Sequence, residues 1–261
     1  MPRPVVDILM YHSISDQGGP TSIAPAVFAD QMAALAEAGI PVIRLDDLLA
    51  ARDGSNASRG HKLLPEQSVI LTFDDGFRDF ADTAFPILNR YHFPSIVYLP
   101  TAHIGRAEAW RGANSPARPL ISWNGVRDLA AEGVDFGSHT VSHPDLCALA
   151  PGVLAAELTR SRAVLEDRLG RSIKHFAPPY GRADPAVRAE IARHYGTSVG
   201  TRLARATTSD DVHDLPRLEM FYFTNPKIWR QHLRQQGGPY LLARQAMRRV
   251  KSAISMPWDA A

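Results

Sequence analysis

The chain contains two acidic residues in tandem, Asp74 and Asp75, at the end of an apolar run. Two histidines, His139 and His143, follow a later run of the same kind. One carboxylate and two imidazoles can hold a divalent metal ion and leave coordination positions open for water or substrate. The second carboxylate is then free to act as a general base, so these residue types predict a metal-dependent hydrolase.

Each half of this set also has an ordinary alternative. Asp-Asp-Gly is typical of a helix amino terminus, where Asp is a common cap. The two histidines could be surface or core residues, although their four-residue spacing would put both rings on one face of a short helical turn. Cys147 continues that spacing and could be a soft ligand, but its place after Leu146 in an apolar run predicts a buried thiol.

Strand-like and helix-like segments alternate along the whole chain, which predicts parallel strands joined by helices. The helix after the first strand has Pro25 in its first turn and Gly39 at its end, and similar apolar spacing follows the Asp pair and the histidine pair. The predicted strands are residues 5–11, 41–45, 68–73, 95–99, 133–137, 173–177, 197–200 and 215–221.

About eight strands with intervening helices predict a (β/α) barrel, although an open doubly wound sheet has the same local pattern. Candidate polar groups follow several strands: His12 the first, the Asp pair the third, His139 the fifth and Tyr180 the sixth. The carboxyl ends of barrel strands meet at one mouth, where such enzymes keep their active sites. Residues 51–67 and 101–120 are predicted to be peripheral loops of the kind that shape a substrate groove.

The composition sets outer limits on the function. A chain of 261 residues with 45% hydrophobic content can bury the core of one such domain, and a formal charge of +2 does not demand a nucleic-acid partner. The single cysteine excludes an internal disulfide bond. The start lacks an apolar stretch of signal-peptide length and no segment has the length of a membrane span, so the simplest expectation is a cytoplasmic protein.

Three motifs in order along the chain resemble the polysaccharide deacetylase family, the NodB-homology carbohydrate esterases. They are Thr-Phe-Asp-Asp-Gly at 72–76, Ser-His-Thr-Val-Ser-His-Pro at 138–144 and Phe-Ala-Pro-Pro-Tyr-Gly at 176–181. Leu-Met-Tyr-His at 9–12 and Ser-Trp at 122–123 are also similar to bacterial members, in particular poly-N-acetylglucosamine deacetylases. The ordered combination is far more specific than any one motif, and it extends over residues 5–218.

The resemblance implies an α/β fold, a distorted (β/α)7 barrel in which Asp75, His139 and His143 hold a divalent metal ion. Zinc is expected, although cobalt, nickel, manganese or iron would also suit these ligands. Asp74 would be the general base. Residues 1–225 would form the catalytic barrel, and residues 226–261 a basic helical extension packed on the same domain.

The resemblance also implies a substrate and an oxyanion site. The substrate would be an N-acetylated amino sugar of a polysaccharide or glycan, and hydrolysis would release acetate and a free amine. A backbone N–H beside Pro179 and Tyr180 would help to stabilise the oxyanion. The oligomeric state is left open.

The sequence departs from the family pattern in two places. Members commonly carry an arginine that orients the catalytic Asp where this chain has Ala177, and Arg217 could supply the guanidinium or be a surface or structural ion pair. The usual late Leu-x-His motif is missing, since the histidines at 194, 213 and 232 lack that context. His12 is the preferred replacement as general acid, and the alternative role for it is to support Asp74 or the metal.

Other residues are weighed for substrate and membrane contact. Tyr180, Trp123 and Trp110 could offer flat faces to sugar rings, and of these Tyr180 is preferred. Residues 229–255 form a basic amphipathic pattern that could touch anionic lipid, although a helix packed on the barrel with a solvated basic face is the more economical interpretation.

Two rival functions remain at this point. One is removal of a formyl or other small acyl group from a lipid-linked amino sugar. The other is a barrel that binds carbohydrate without turnover, which the Ala177 substitution and the missing late histidine favour. The retained Asp pair and histidine pair oppose that second rival, because a binding module needs neither a metal site nor a spare base.

Overall fold

Seven parallel strands form a closed barrel in the computed structural model, which describes residues 4–52, 64–110 and 116–254. One edge of the first strand pairs with the second strand from Val5 to Tyr11, and its other edge pairs at Leu9 and Met10 with the last. This closure confirms the barrel and excludes the open sheet. The strands are β1 (Val5–Tyr11), β2 (Gln67–Phe73), β3 (Ser95–Leu99), β4 (Asp135–Ser138), β5 (His175–Phe176), β6 (Thr197–Leu203), a short antiparallel β7 (Ala206–Thr207) outside the barrel, and β8 (Leu215–Glu219).

Helices cover the outside of the barrel. Their starts follow ordinary capping chemistry, since Ser122, Asp184 and Asn225 each accept a hydrogen bond from a backbone N–H of the following turn. None of the described helices combines the length and apolar character that a membrane span needs. The helices are α1 (Pro25–Glu37), α2 (Leu45–Arg52), α3 (Phe85–Arg90, preceded by a π-helical turn at Phe80–Ala84), α4 (Trp123–Ala131), α5 (Pro151–Leu169), α6 (Pro185–His194), α7 (Pro226–Leu233) and α8 (Gly238–Ile254).

Alternation along each strand divides the core into two parts. Residues such as Leu9, Leu71 and Val97 face the helices, whereas their neighbours Ile8, Ile70 and Ile96 belong to a second cluster inside the barrel. At the mouth end of this inner side the apolar residues give way to polar ones. The inner side therefore carries the side chains that meet at the site.

Several predicted elements have other bounds in the structure, and three of the differences have a local cause. Residues 41–45 are not a strand: only Val42 bridges β2, and α2 begins at Leu45 where the Asp47 carboxylate accepts from the Arg44 N–H. Strand β8 ends at Glu219 rather than 221, because residues 220–223 turn into a 3-10 helix. The predicted basic helix over 229–255 is two helices, α7 and α8, separated at Gln235 with its φ of 61°.

The peripheral loops are only partly described. Residues 51 and 52 of the first predicted loop belong to α2, residues 53–63 lie outside the described residues, and β2 begins at Gln67. In the second, residues 111–115 lie outside the described residues, and isolated bridges tie Ala107 to Pro119 and Phe77 to Leu120. Residues 255–261 of the predicted carboxy-terminal extension are likewise outside.

A buried carboxylate attaches α7 to the barrel. Asp7, on the helix-facing side of β1, is fully buried and accepts hydrogen bonds from Arg205 at 2.8 and 3.1 Å. The His232 Nε2 atom lies 3.1 Å from the same carboxylate. Burial alone would raise the pKa of Asp7, but His232 and Arg205 together lower it below 3.8.

We expect the substitution Asp7→Asn to lower the free energy of unfolding at neutral pH by roughly 2 kcal/mol, because it removes the buried charge that pairs with Arg205 and His232. Since the folded pKa is lowered, the contribution of Asp7 is present above about pH 4 and disappears as the pH falls through the folded pKa. Urea unfolding at several pH values measures both effects. Asp30→Asn, on the exposed side of α1, is the control and should change stability by less than about 0.5 kcal/mol. A constant difference between wild type and Asp7→Asn at all pH values would contradict this account.

Candidate active site

The turn after β2 sends two adjacent carboxylates in different directions. Asp74 continues the strand, with its N–H donating to the Tyr11 carbonyl at 2.9 Å, but Asp75 has a φ of 73°. Gly76 follows with a φ of 67°, and a Cβ there would lie 2.4 Å from Leu99 Cδ2. The left-handed turn thus requires glycine at 76 and separates the environments of the two acids.

The two histidines come together on a loop, not on a helical turn. His139 directly follows β4, and Thr140 and His143 have φ values of 72° and 60°. The Thr140 hydroxyl accepts a hydrogen bond from the His143 N–H at 3.0 Å. The helical prediction was therefore wrong, because positive φ angles turn the chain back more tightly than a helix would.

Glu157 holds this loop from helix α5, and the sequence analysis missed it. Its carboxylate accepts from the Val141 N–H at 2.7 Å, the Ser142 N–H at 3.0 Å and the Ser142 hydroxyl at 2.8 Å. Charge-assisted hydrogen bonds of this kind are stronger than neutral ones. The only sequence signal is an acidic residue in the first turns of the helix that follows the motif.

Asp75, His139 and His143 form one buried cluster. The Asp75 Oδ1 atom lies 3.3 Å from His139 Nε2 and 3.2 Å from His143 Nε2. The possible ligand atoms of the three residues lie within 4.8 Å of one another. Burial would raise the pKa of Asp75, but hydrogen bonds from the two histidines hold it well below 3.8.

The imidazoles are oriented by different means. His139 Nδ1 lies 2.7 Å from the Ala177 carbonyl, which can only accept, so this nitrogen carries a proton. In the neutral ring that a metal ion requires, Nε2 would therefore be the nitrogen with the free lone pair. His143 Nδ1 has no hydrogen-bond partner among the described residues. Its ring instead stacks on Trp110, with centroids 3.9 Å apart, and meets the edge of Tyr180 at 4.8 Å.

This donor set fits a divalent metal ion. Two neutral imidazole nitrogens and one ionised carboxylate oxygen, all buried and converging, are typical zinc ligands. The fixed His139 tautomer presents the ligand nitrogen to the cluster. Asp75, His139 and His143, the three residues predicted as ligands, are thus brought together, and the cluster could hold a metal ion.

Asp74 is bound by the arginine predicted as a candidate partner. Arg217 is fully buried on β8 and donates to both carboxylate oxygens of Asp74, at 2.7 and 2.8 Å. It also donates to the Gly200 carbonyl at 2.9 Å and to the Thr72 hydroxyl at 3.2 Å. Burial raises the pKa of Asp74, but the charge and hydrogen bonds of Arg217 outweigh this, and the pKa is lowered.

His12 lies on the other side of Asp74, at the mouth end of β1. Its Nε2 atom is 3.9 Å from Asp74 Oδ2, too long for a hydrogen bond but close enough for a charge interaction. The late histidines lie elsewhere. His194 pairs with Glu190, His213 with the Tyr195 carbonyl and His232 with Asp7.

Of the remaining candidate residues, one lines the site and two lie away from it. Tyr180 is half-exposed with a φ of 58°, and its hydroxyl lies 3.5 Å from the His143 carbonyl, so it lines the site beside buried Pro179. Trp123 packs against the helical layer with the Arg168 guanidinium over its ring at 5.4 Å. Cys147 is exposed, and the predicted buried thiol was wrong because the residue lies in a surface 3-10 turn.

Comparisons with known proteins agree with this geometry. The sequence model of the polysaccharide deacetylase family matches residues 61–199. The poly-beta-1,6-N-acetyl-D-glucosamine N-deacetylase of Staphylococcus epidermidis is 30% identical over 169 residues, which is 59% of this chain and 55% of that protein. The chain thus spans just over half the length of that relative, and 22% of the protein of the same name from Escherichia coli.

Two solved structures share the fold. IcaB from Ammonifex degensii has a TM-score of 0.70 at 24% identity, with 90% of this chain and 98% of that chain covered. The Streptococcus pyogenes deacetylase PplD, in complex with acetate, has a TM-score of 0.69 at 24% identity, with 83% and 92% covered. At this level of identity the likeness concerns the barrel itself.

We expect Trp110→Ala to weaken zinc binding by about ten- to a hundredfold, because the stack on Trp110 takes the place of a hydrogen bond in orienting His143. Trp110→Phe keeps an aromatic face and should retain most of the affinity. Competition with a chromophoric chelator measures the affinity without any need for turnover. Phe221→Ala removes an exposed aromatic ring outside the cluster and is the control. Zinc affinity in Trp110→Ala equal to that of wild type would show that the stack does not orient the ligand.

Proposed function

The chain belongs to the polysaccharide deacetylase family, and on this basis we propose that it hydrolyses the N-acetyl amide of an amino sugar in a polysaccharide or glycan. The observation that carries the proposal is the pairing of two differently held carboxylates: Asp75 with two imidazoles, and Asp74 with Arg217 beside them. A divalent ion held by Asp75, His139 and His143, with zinc the first candidate, would supply Lewis acidity to the amide carbonyl and to the attacking water.

Asp74 is proposed as the general base. Its carboxylate is ionised because Arg217 lowers its pKa, and His139 and His143 pair with Asp75 instead. The role of Arg217 would be to fix both oxygens of Asp74 in one plane and orientation, which a bidentate guanidinium does better than a lysine. This arrangement supplies from β8 what the family motif usually supplies at position 177.

His12 is proposed as the general acid for the leaving amine. It lies at the same mouth as Asp74, is partly open to the outside, and carries an imidazole, the side chain that most often transfers protons in catalysis. Proton transfer to nitrogen is needed because an amide anion is a poor leaving group. His12 and Asp74 would thus handle the two protons of the reaction from one side of the cluster.

The backbone N–H of Tyr180 is proposed as an oxyanion donor. The N–H groups of Gly181 and Arg182 are used within the turn, by the Pro178 and Pro179 carbonyls at 3.0 and 3.2 Å. The left-handed conformation of Tyr180 sets its amide apart from theirs. A complex with acetate tests this role, since an acetate oxygen should lie within hydrogen-bond distance of the Tyr180 nitrogen.

The choice of an N-acetylated sugar rests on family membership and on relatives named as deacetylases of poly-beta-1,6-N-acetyl-D-glucosamine. The half-exposed Tyr180 ring beside the cluster supports a sugar substrate, since such rings stack on pyranose faces. The Trp110 ring has one face covered by His143, so it has less surface open to a sugar ring. A barrel without turnover is disfavoured because Arg217 compensates for the missing motif arginine.

The central experiment compares wild type with Asp74→Asn after reconstitution with zinc. We expect wild type to release acetate from poly-N-acetylglucosamine fragments or chitooligosaccharides. Asp74→Asn should lose roughly a hundred- to ten-thousandfold in kcat because the carboxylate that accepts the proton is removed. It should retain its metal content because Asp75, His139 and His143 are unchanged. Acetate release and metal analysis are the two measurements.

Two companion variants sharpen that comparison. Asp145→Asn changes a carboxylate near the mouth that pairs with Arg182, and it should keep nearly full activity. Arg217→Lys keeps the charge beside Asp74 but loses the bidentate contact, so kcat should fall more than KM rises. If a formamido sugar releases formate and no N-acetyl sugar releases acetate, the assignment would change from a deacetylase to a deformylase. Equal turnover in wild type and Asp74→Asn would show that Asp74 is not the general base.

A second pair of substrates tests His12. We expect His12→Gln to lower hydrolysis of the N-acetyl amide by about a hundredfold or more but to leave hydrolysis of an activated aryl acetate nearly unchanged, since an aryl oxide departs without a proton. The ratio of the two kcat values in each protein is the measurement. Equal losses on both substrates would assign His12 to the support of Asp74 and not to the leaving group.

A further inference from the structure

Helix α8 packs on the barrel mainly through polar contacts. Gln245 Nε2 donates to the Leu203 carbonyl at 2.7 Å, and the Tyr240 hydroxyl donates to the Tyr222 carbonyl at 2.6 Å. The Arg244 guanidinium lies over the Tyr222 ring at 4.8 Å. Among the side chains of the helix that the structure describes, Leu241 is the large apolar one that is buried.

Three other apolar residues of α8 face outward. Leu242, Met247 and Val250 are 66%, 52% and 57% exposed. At about 100° per residue these three side chains fall within one arc of roughly 140°, with Ala243 and Ala246 between them. This is the reverse of a helix that packs on a soluble core, whose apolar stripe faces inward. We call this arc, residues 242, 243, 246, 247 and 250, the outer face of α8.

The sequence around this face is strongly basic. Residues 226–254 contain seven basic residues and no acidic one, whereas the whole chain has a formal charge of only +2. Four of the seven, at positions 244, 248, 249 and 251, belong to α8 itself. An exposed apolar face on a helix rich in Arg and Lys is the pattern of helices that lie in the plane of a membrane interface.

We propose that α8 binds the surface of an anionic phospholipid bilayer, with its outer face in the headgroup region. Basic residues near a surface add attraction to anionic lipid, and the apolar side chains add burial, so each strengthens the other. The anchors of α8 are Leu203 at the end of β6 and Tyr222 just beyond β8, both at the mouth end of the barrel.

A second copy of the chain fits the outer face less well. By helical spacing, positions 249 and 251 flank the outer face, so two such helices brought face to face would set the basic positions of one copy near those of the other, with no acidic residue in either helix to compensate. A handful of exposed side chains also falls well short of the roughly 800 Å² that each partner buries in a stable interface. Charge complementarity selects the anionic lipid.

The test is vesicle flotation with the full chain. Vesicles of equal parts phosphatidylcholine and phosphatidylglycerol are compared with vesicles of phosphatidylcholine alone, at low and high salt. The variant Leu242→Gln/Met247→Gln/Val250→Gln removes the outer face without touching the buried anchors. The matched control, Val153→Gln/Val164→Gln, removes two exposed apolar residues of α5 that are 51% and 38% exposed.

We expect wild type and the α5 control to float with the anionic vesicles, more weakly at high salt, and the triple variant to lose at least about tenfold in partition coefficient. Circular dichroism should be the same for all three proteins. Wild type that stays with the unbound fraction, or a triple variant that binds like wild type, would overturn the proposal. So would a wild-type dimer that the triple variant converts to a monomer, since a second copy would then cover the face. No readout depends on turnover, so the outcome is separate from that of the proposed deacetylation.

Discussion

Two neighbouring carboxylates are buried at the end of β2, and each must be compensated where it lies. A buried ionised carboxylate without a partner is among the most costly groups in a folded protein. The left-handed turn at Asp75 solves this by directing the two charges apart, one to the guanidinium of Arg217 and the other to His139 and His143. The barrel must close for this to happen, because β8 brings the arginine while the loop after β4 brings the histidines.

Ala177 and Arg217 make separate contacts in this chain, although the family motif usually has an arginine at position 177. What matters to Asp74 is a planar cation that reaches both of its oxygens, and β8 supplies one from inside the barrel. Position 177 keeps a different duty, since its carbonyl fixes the tautomer of His139. The backbone carbonyl of position 177 can accept this hydrogen bond whether the residue is alanine or arginine. The two duties are therefore separable, and the chain can move one to another strand without losing the other.

The strand pattern predicted that polar residues meet at one mouth, and the resemblance to the family predicted the closed barrel and the grouping of Asp74, Asp75, His139 and His143. Sequence reasoning could not rank Arg217 above a surface ion pair, since the contact joins strands that lie 143 residues apart in sequence. Glu157 has only a weak signal, an acidic residue in the helix after the motif, and the stack of Trp110 on His143 has none. Residues 41–45 looked like a strand by composition, but Arg44 is drawn away to pair with Asp135, and one bridge to β2 remains. Cys147 shows that an apolar neighbourhood in sequence does not imply burial.

The loop that carries Trp110 is tied to the same turn that separates the carboxylates. Arg118 and Glu108, both buried, form a two-bond ion pair at 2.7 and 2.9 Å, and the Arg118 guanidinium lies 3.9 Å from the centre of the Phe77 ring. The Ile121 N–H donates to the Gly76 carbonyl at 2.9 Å. The tryptophan that stacks on His143 and the turn that presents Asp75 are thus anchored to one another. Asp75 and His143 lie on opposite sides of the cluster, and the same packed unit supports the turn of the first and the ring of the second. Rigid support of this kind is what a site needs to hold its geometry.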